Sequence, residues 1–332
     1  MSVRETPIFI RKKGLKMKKK LLLLGLFPLL ASSLVGCNKK ADYHVGIIQW
    51  VQHPALDKAT RGFKDGLKAA MPGKSIDFDY KNCSEDTSAA SAIVDTFIAR
   101  NKNLIMANAT PAVQVAGNAT ATIPVVGTSV TSYEVAFGGA IPPHVTGTSD
   151  LAPLDQQAAE LLKWAPEATR IGIFYCSGEP NSGYQSSEIQ KEFRAIGEVI
   201  GRTFQFTELT FSETNEIQAV LSNGLSGVDV LYIPTDNTCA KNVELIHTIC
   251  SQANKLVFAG EEGICAGCGI ATLTIDYYEL GRITGQMAAE ILKGKSPSEM
   301  PIRKDENVRK LYNAQIAAEL GITEIPEGYI AL

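Results

Sequence analysis

The sequence lacks the features that indicate an enzyme or a nucleic-acid-binding protein. It has only four histidines in 332 residues, and none stands at metal-ligand spacing from another. No Ser/His/Asp set, paired acid–base site or phosphate-binding loop appears. Beyond residue 37 there is no long basic run, and no apolar stretch is long enough to span a membrane. The sequence therefore predicts a protein that is not an enzyme and needs no metal, cofactor or nucleic acid.

The N-terminal segment has the pattern of a secretory signal. Three lysines, Lys18 to Lys20, precede the short apolar run "LLLLGLFPLLASSLVG", and Cys37 follows it. The ending "LVGC" is typical of a bacterial lipobox, in which the cysteine thiol receives the lipid. We therefore expect residues 1–37 to be a lipoprotein signal with Met17 as its start, Cys37 to carry the acyl groups, and residues 38–43 to act as a tether.

Length and charge describe the expected mature chain. Without the first 37 residues, 24 Lys and Arg stand against 34 Asp and Glu, a net charge of about −10. Such an acidic chain is not expected to bind nucleic acid or to be held electrostatically on anionic lipid. About 295 residues exceed what one hydrophobic core usually holds, so two lobes of roughly 130–150 residues are predicted.

Short β-branched runs alternate with amphipathic stretches, and the alternation occurs twice. The first series predicts strands at 44–50, 75–82, 103–109 and 124–130, with helices near 55–70, 87–100 and 111–119. The second predicts strands at 170–176, 203–209, 228–234 and 255–261, with helices near 182–198, 214–224 and 239–253. This pattern is typical of βαβ units, so we predict an α/β fold of two doubly wound parallel-sheet lobes joined by a hinge. The predicted N-terminal lobe covers 44–150 plus about 276–305, and the C-terminal lobe covers 151–275 plus about 306–332.

Polar residues follow the predicted strands at the edge where a ligand between two lobes would lie. Helix starts after "NATPAV" and "CSGEPNSGY" offer backbone N–H groups for a carboxylate, one on each lobe. Acidic residues follow later strands, and a ligand ammonium in a partly desolvated cleft needs such partners. The pattern predicts a site for a zwitterion, with Asp236 and Asp276 as the ammonium partners.

Two further residues follow the first strand. Trp50 and His53, in "IQWVQHPALD", are placed to contact an apolar or aromatic ligand side chain. For Trp50, a core or hinge position is an equal alternative, and His53 is expected in a loop without a catalytic or metal role.

Several of these stretches together resemble one family. "GIIQWVQHPALD", "ATPA", "SGEPNS", "PTDNT" and "TIDYYELG", in this order, are similar to the signature stretches of ABC-transporter substrate-binding lipoproteins of the TrpX type. The resemblance covers Val45 to Leu320 and implies a type I periplasmic-binding-protein fold and an aromatic amino-acid ligand. The ligand-binding set that pattern and resemblance together give is Trp50, His53, Thr110, Thr131, Ser177, Glu179, Asn181, Ser182, Asp236, Asn237, Glu261 and Asp276. Where relatives often have V-T-D, this chain has Val130, Thr131 and Ser132, a departure that bears on side-chain selectivity.

The C-x-x-C motif of Cys265 and Cys268 could indicate redox chemistry. Glycines surround the pair in "GEEGICAGCG" and a strand is expected to follow it, so no helix N-terminus is predicted to activate a thiol. We expect a disulfide across a glycine-rich turn, with free thiols as the alternative.

Together these observations predict a monomeric, lipid-anchored, extracytoplasmic protein. It would capture an aromatic amino acid (tryptophan, tyrosine or phenylalanine) and deliver it to an ABC permease with its ATPase. The alternatives are a ligand-sensing receptor subunit and a thiol oxidoreductase using Cys265 and Cys268.

Overall fold

The computed structural model describes residues 41–332. The predicted signal segment and Cys37 lie outside the described residues. In chain order the elements are β1 (Tyr43–Gln49), α1 (Pro54–Ala70), β2 (Ile76–Asn82), α2 (Thr87–Ala99), β3 (Leu104–Asn108), α3 (Thr110–Ala119), β4 (Val125–Val130), α4 (Tyr133–Ala136), β5 (Val145–Ser149), α5 (Leu154–Trp164), β6 (Arg170–Cys176), α6 (Pro180–Ile200), β7 (Gln205–Phe211), α7 (Ile217–Gly224), β8 (Val230–Ile233), α8 (Asn237–Lys241), α9 (Val243–Gln252), β9 (Val257–Ala259), α10 (Glu262–Cys268), β10 (Ala271–Thr274), α11 (Tyr277–Leu292), β11 (Arg303–Lys304), β12 (Arg309–Tyr312), α12 (Ala314–Glu319) and β13 (Ile330–Ala331).

Two sheets organise these elements into two lobes. The first sheet has the order β11-β5-β4-β3-β1-β2, and all of its pairs are parallel. The second has the order β13-β12-β10-β9-β8-β6-β7 and is parallel except where β10 meets β12. In each sheet the strand order reverses beside the first strand, the position at whose carboxyl edge ligands bind in open α/β folds. The predicted α/β class with two parallel-sheet lobes is confirmed.

Apolar side chains cover both faces of each sheet. In the first lobe, Phe97 and Val113 belong to the core on one face, while Phe63 and Met287 belong to the core on the other. The second lobe has two corresponding cores. Strands buried on both faces read as continuous apolar runs, which is why the sequence pattern located β1, β3, β4, β6 and β8 closely.

The chain passes between the two sheets three times. It leaves the first sheet after β5 and returns after β10, when α11 packs on α1 and β11 pairs with β5. It then crosses again to β12. The contact between α1 and α11 is close because both present glycines: a Cβ at Gly62 would meet the Tyr278 carbonyl oxygen, and one at Gly281 would meet the Ala59 carbonyl oxygen.

Several elements differ from the prediction. β5, α5 and α10 were not predicted. The helix expected at 239–253 is two helices, α8 and α9, that meet at Asn242. The glycine-rich stretch around the C-x-x-C motif is helix α10, although glycine is a poor helix former. Within residues 41–332, no helix has the length and apolar character needed to cross a bilayer.

Candidate ligand-binding site

A small enclosed cavity lies between the lobes at the carboxyl edges of both sheets, and we call it the acid cavity. Its volume is about 10 Å³, room for about one water molecule. Its lining residues come from both sheets and from the second crossing: His53, Leu56, Ser129, Thr131, Asp150, Asn181, Thr235, Asp236, Asn237, Ala240, Glu261 and Tyr277. Six of the residues predicted from the sequence are among them: His53, Thr131, Asn181, Asp236, Asn237 and Glu261.

Asp236 is buried at the start of α8 and is already well hydrogen-bonded. Its Oδ1 accepts from the Cys239 N–H at 2.7 Å, and its Oδ2 accepts from the Cys176 N–H at 2.9 Å and from Ser182 Oγ at 2.7 Å. Burial, and after it the nearby Glu179 carboxylate, raises the pKa of Asp236. The carboxyl therefore holds β6 and α6 to α8 in addition to facing the cavity.

Glu261 has a similar position at the start of α10. It is 1% exposed, and its two oxygens accept from the N–H groups of Gly263 at 2.6 Å and Ile264 at 2.5 Å. Burial raises the pKa of this carboxyl to about 7. It is thus both a helix cap and an acidic wall of the cavity.

Asp150 completes the acidic lining and was not predicted. It stands at the carboxyl end of β5, where Thr131 Oγ1 donates to its Oδ1 at 3.1 Å and Tyr277 OH donates to its Oδ2 at 3.1 Å. Burial raises its pKa to about 6. Its side-chain partners within residues 41–332 are hydroxyl groups, which can rotate, so Asp150 is the acid most free to receive a ligand. The signal was present in the sequence as "HVTGTSD", a β-branched run that ends in an acid, like the runs that were recognised.

Asp276, predicted as an ammonium partner, does not line the cavity. It caps α11 by accepting from the Tyr278 and Glu279 N–H groups at 2.9 and 3.2 Å, and Arg309 Nη1 donates to it at 3.1 Å. Its side chain is 38% exposed. In this structure the carboxyl at the strand end serves the next helix and a neighbouring cation.

Glu179, predicted as a ligand-binding residue, lies beneath α8. Both oxygens accept from Asn237 and Thr238, through backbone N–H groups at 3.0 and 2.8 Å and through side-chain donors at 2.6 and 2.8 Å. The Asn181 side-chain amide donates a further bond at 3.2 Å. The N–H groups at the start of α8 thus stabilise the negative charge of Glu179.

The remaining predicted residues lie outside the acid cavity. Ser182 is fully buried and donates to Asp236, while exposed Ser177 donates to the Phe211 carbonyl at 3.1 Å. Thr110 is buried as the first residue of α3 and does not cap it. Trp50 lines a neighbouring open space of about 580 Å³, the outer groove, whose lining is Trp50, Thr87, Ser91, Pro111, Gln114, Val115, Asn118, Ala119, Gly178 and Pro180.

Contacts across the cleft hold the two lobes together. Lys58 of α1 pairs with Glu262 of α10 at 2.7 Å, and Lys241 of α8 pairs with Glu85, which follows β2, at 2.6 Å. Deeper in the cleft, Gln185 Nε2 donates to Thr131 Oγ1 at 3.0 Å. These contacts join different sheets, so the structure shows the lobes closed on each other.

The cysteines correct one expectation. Cys265 and Cys268 are free thiols on α10, not a disulfide across a turn. Both are buried in the core of the second lobe, where Cys265 Sγ lies 3.7 Å from the Gly269 carbonyl oxygen. Burial raises the pKa of both thiols. Among residues 41–332, no group of His, Cys, Asp or Glu side chains has the arrangement of a metal site.

Comparison with known proteins places this geometry in context. The model of the family described as "ABC transporter substrate binding protein" matches residues 44–329. A tyrosine-binding protein of Clostridioides difficile (strain R20291) is 30% identical over 336 residues, covering 94% of each chain.

Two solved structures share the fold at similar sequence identity. The ABC domain from Streptococcus pneumonia in complex with L-Trp superposes with a TM-score of 0.80 at 30% identity, over 87% of this chain and all of that chain. The ligand-free, open form of a substrate-binding protein with adhesive properties from Clostridium difficile gives 0.65 at 33% identity, over 87% of this chain and 99% of that chain. The better superposition on the liganded relative agrees with the closed lobes described above. These neighbours have the type I periplasmic-binding fold expected from the sequence.

Proposed function

The chain belongs to the ABC transporter substrate-binding proteins, and we propose that it captures a free aromatic amino acid between its lobes and delivers it to a membrane permease. Tyrosine and tryptophan are the first ligands to test, because one relative is named for tyrosine and a structural neighbour holds L-Trp. The observation that carries the proposal is the acid cavity, which both lobes build and which three buried carboxyl groups line.

The acid cavity suits the ammonium group of the ligand. An ammonium is close to a water molecule in size and donates three hydrogen bonds. We assign Asp150 as its main partner, with Glu261 and Asp236 supplying further negative charge. The assignment favours Asp150 because backbone N–H groups already bind the other two carboxyls.

The remainder of the ligand requires the outer groove. Pro180 lines that groove and Asn181, the next residue, lines the acid cavity, so the two spaces flank the start of α6. A ligand with its ammonium in the cavity would extend past this point, with its aromatic ring toward Trp50. Because the closed cavity is so small, entry requires the lobes to separate and then close on the ligand.

We propose an extracytoplasmic, monomeric, lipid-anchored protein. This proposal rests on the signal pattern and Cys37 in the sequence and on the usual place of substrate-binding proteins of importers. Mass spectrometry of membrane-extracted protein would find a lipid-modified N-terminal Cys37. Cleaved, unmodified protein in the soluble fraction would contradict the anchor.

Calorimetry against the twenty amino acids tests the ligand class. Binding of an aromatic amino acid is expected, and the absence of heat with every aromatic amino acid would reject the proposal.

Asp150→Asn should weaken binding at least about a hundredfold, since it removes a buried charged partner of an ammonium. Asp276→Asn is the matched control because Asp276 lies outside the cavity, and it should leave affinity within about twofold. Equal effects of the two substitutions would contradict the assignment of Asp150.

A further inference from the structure

Most of the unpaired side-chain polar atoms of the acid cavity are hydrogen-bond acceptors. Three side-chain atoms of its lining are buried without a partner in the part of the chain that the structure describes: His53 Nδ1, Asn181 Oδ1 and Ser129 Oγ. An amide oxygen only accepts, and a serine hydroxyl can accept or donate. What this cavity needs from a ligand is therefore hydrogen-bond donors.

His53 belongs with the acceptors because of its tautomer. Its Nε2 lies 3.3 Å from Asn237 Oδ1, which accepts and cannot donate, so Nε2 carries the proton. Burial lowers the pKa of His53 to about 4, so the ring is neutral near pH 7. Nδ1 then has a free lone pair.

The charged residues of the cavity also favour a ligand group that donates hydrogen bonds. Asp150, Asp236 and Glu261 line it, and no lysine or arginine does among the described residues. Lys58, whose positive charge acts on the pKa of Glu261, is engaged with Glu262 at 2.7 Å. Among the described residues, a ligand carboxylate would find here neither a basic side chain nor an unpaired side-chain donor other than the Ser129 hydroxyl.

The positions that remain for binding a ligand carboxylate are the N-terminal starts of α3 and α6. Neither start has a side-chain cap, and their prolines, Pro111 and Pro180, line the outer groove and not the acid cavity. Because both starts face the open outer groove, each typically contributes about fivefold or less in affinity to an anion. Two such starts together contribute about thirtyfold at most.

From this inventory we propose that the site recognises its ligand by the primary ammonium, and that it binds aromatic amines without a carboxylate as a second ligand class. The inference rests on the proposed function, since it concerns the same cavity. The ammonium satisfies the acceptors and the acids that line the cavity, whereas the carboxylate meets only the outer groove.

The test compares three ligands that share one ring: L-tyrosine, tyramine and 3-(4-hydroxyphenyl)propionate. Calorimetry on the purified protein at pH 8 should give a tyramine dissociation constant within about thirtyfold of that for tyrosine, the limit set by the two helix starts. The propionate, which lacks the ammonium and leaves the three acids of the cavity without a cationic partner, should bind at least a hundredfold more weakly than tyrosine. The tryptophan, tryptamine and indole-3-propionate series repeats the comparison with the larger ring.

Variants separate the ammonium contact from a general effect of charge. Asp150→Asn should weaken tyrosine and tyramine by the same factor, because both bring the same ammonium to Asp150. Asp276→Asn should change neither, since Asp276 pairs with Arg309 outside the cavity.

The outcomes distinguish this inference from the proposed function. Tyrosine binding with tyramine more than thirtyfold weaker would overturn the inference and leave amino-acid capture in place. Propionate binding as well as tyramine would also overturn it. If no member of either series binds, both proposals fail.

Discussion

The ion pairs that cross the cleft provide a test of closure as a source of affinity. Lys241 belongs to the second lobe and Glu85 to the first, and they meet at 2.6 Å with side chains 45% and 19% exposed. Glu85 has a left-handed backbone conformation (φ 66°) in the turn after β2, where its N–H donates to the Trp50 carbonyl at 2.9 Å. A non-glycine residue rarely adopts this conformation, so the turn holds Glu85 in place at some conformational cost.

We predict that Lys241→Glu weakens ligand affinity by up to about thirtyfold at low salt. A partly exposed ion pair contributes about 0.2–1 kcal/mol, and reversing one charge replaces that attraction with a repulsion of similar size. The sum, up to about 2 kcal/mol, corresponds to about thirtyfold in the dissociation constant. The effect should appear as faster ligand release, because the pair forms only when the lobes are closed.

Stopped-flow displacement would measure the release rate, and calorimetry the affinity. The double variant Lys241→Glu with Glu85→Lys restores the pair in reverse and should recover affinity to within about threefold of the original chain. Lys191→Glu is the matched control: Lys191 pairs with Glu188 at 2.6 Å, but both residues lie on α6. Raising the salt should reduce the effect of Lys241→Glu because salt screens the partly exposed pair. The ligand itself is a zwitterion without net charge. A double variant as weak as the single one, or a control equally weak, would refute the idea that this pair holds the lobes closed.

Three other predictions follow from the described contacts. Ligand affinity should rise as the pH is raised from 5 to 8. In the empty closed cavity, burial raises the pKa of Asp150 to about 6 and that of Glu261 to about 7, and a bound ammonium lowers both, so ligand binding releases protons until the pH passes these values. Calorimetric affinities that fall over this pH range would contradict the prediction. Gly66→Ala should lower the free energy of unfolding by about 1–3 kcal/mol, because its Cβ would meet the Arg282 carbonyl oxygen on α11. In a thermal melt, each kcal/mol corresponds to a decrease of about 2–4 °C in melting temperature. Gly227→Ala, where a Cβ meets nothing within 4 Å, is the control in the same melts. A chain starting at residue 41 should show six thiols to Ellman's reagent in denaturant and almost none when folded, since all six cysteines are free and buried; fewer than six in denaturant would indicate a disulfide.

The sequence pattern was sufficient for most of the framework. β1, β3 and β6 are continuous apolar runs followed by polar turns, and the two-lobe α/β class follows from their repetition. α10 was missed because three glycines argued against a helix, whereas the Glu261 cap and the core contacts of Cys265 and Cys268 stabilise it. At α10, tertiary packing outweighs the low helix propensity of glycine.

The candidate site was only half predictable, for a different reason. Asp236 and Asp276 look alike in the sequence, since each is an acid between a strand and a helix, and each does cap its helix. Only the spatial arrangement distinguishes them, because Asp276 has Arg309 beside it and Asp236 has the cavity. Asp150 escaped notice because β5, with its internal glycine and alternating threonines, was not recognised as a strand.

The late return of the chain to its first sheet has a consequence for biosynthesis. α11 fills the groove on α1, and β11 closes the edge at β5, so the half that emerges first from the ribosome lacks its last helix and last strand until about residue 304 has been made. The second half, by contrast, has most of its sheet in one uninterrupted stretch from β6 to β10. The portion translated first is thus the one whose fold is completed last.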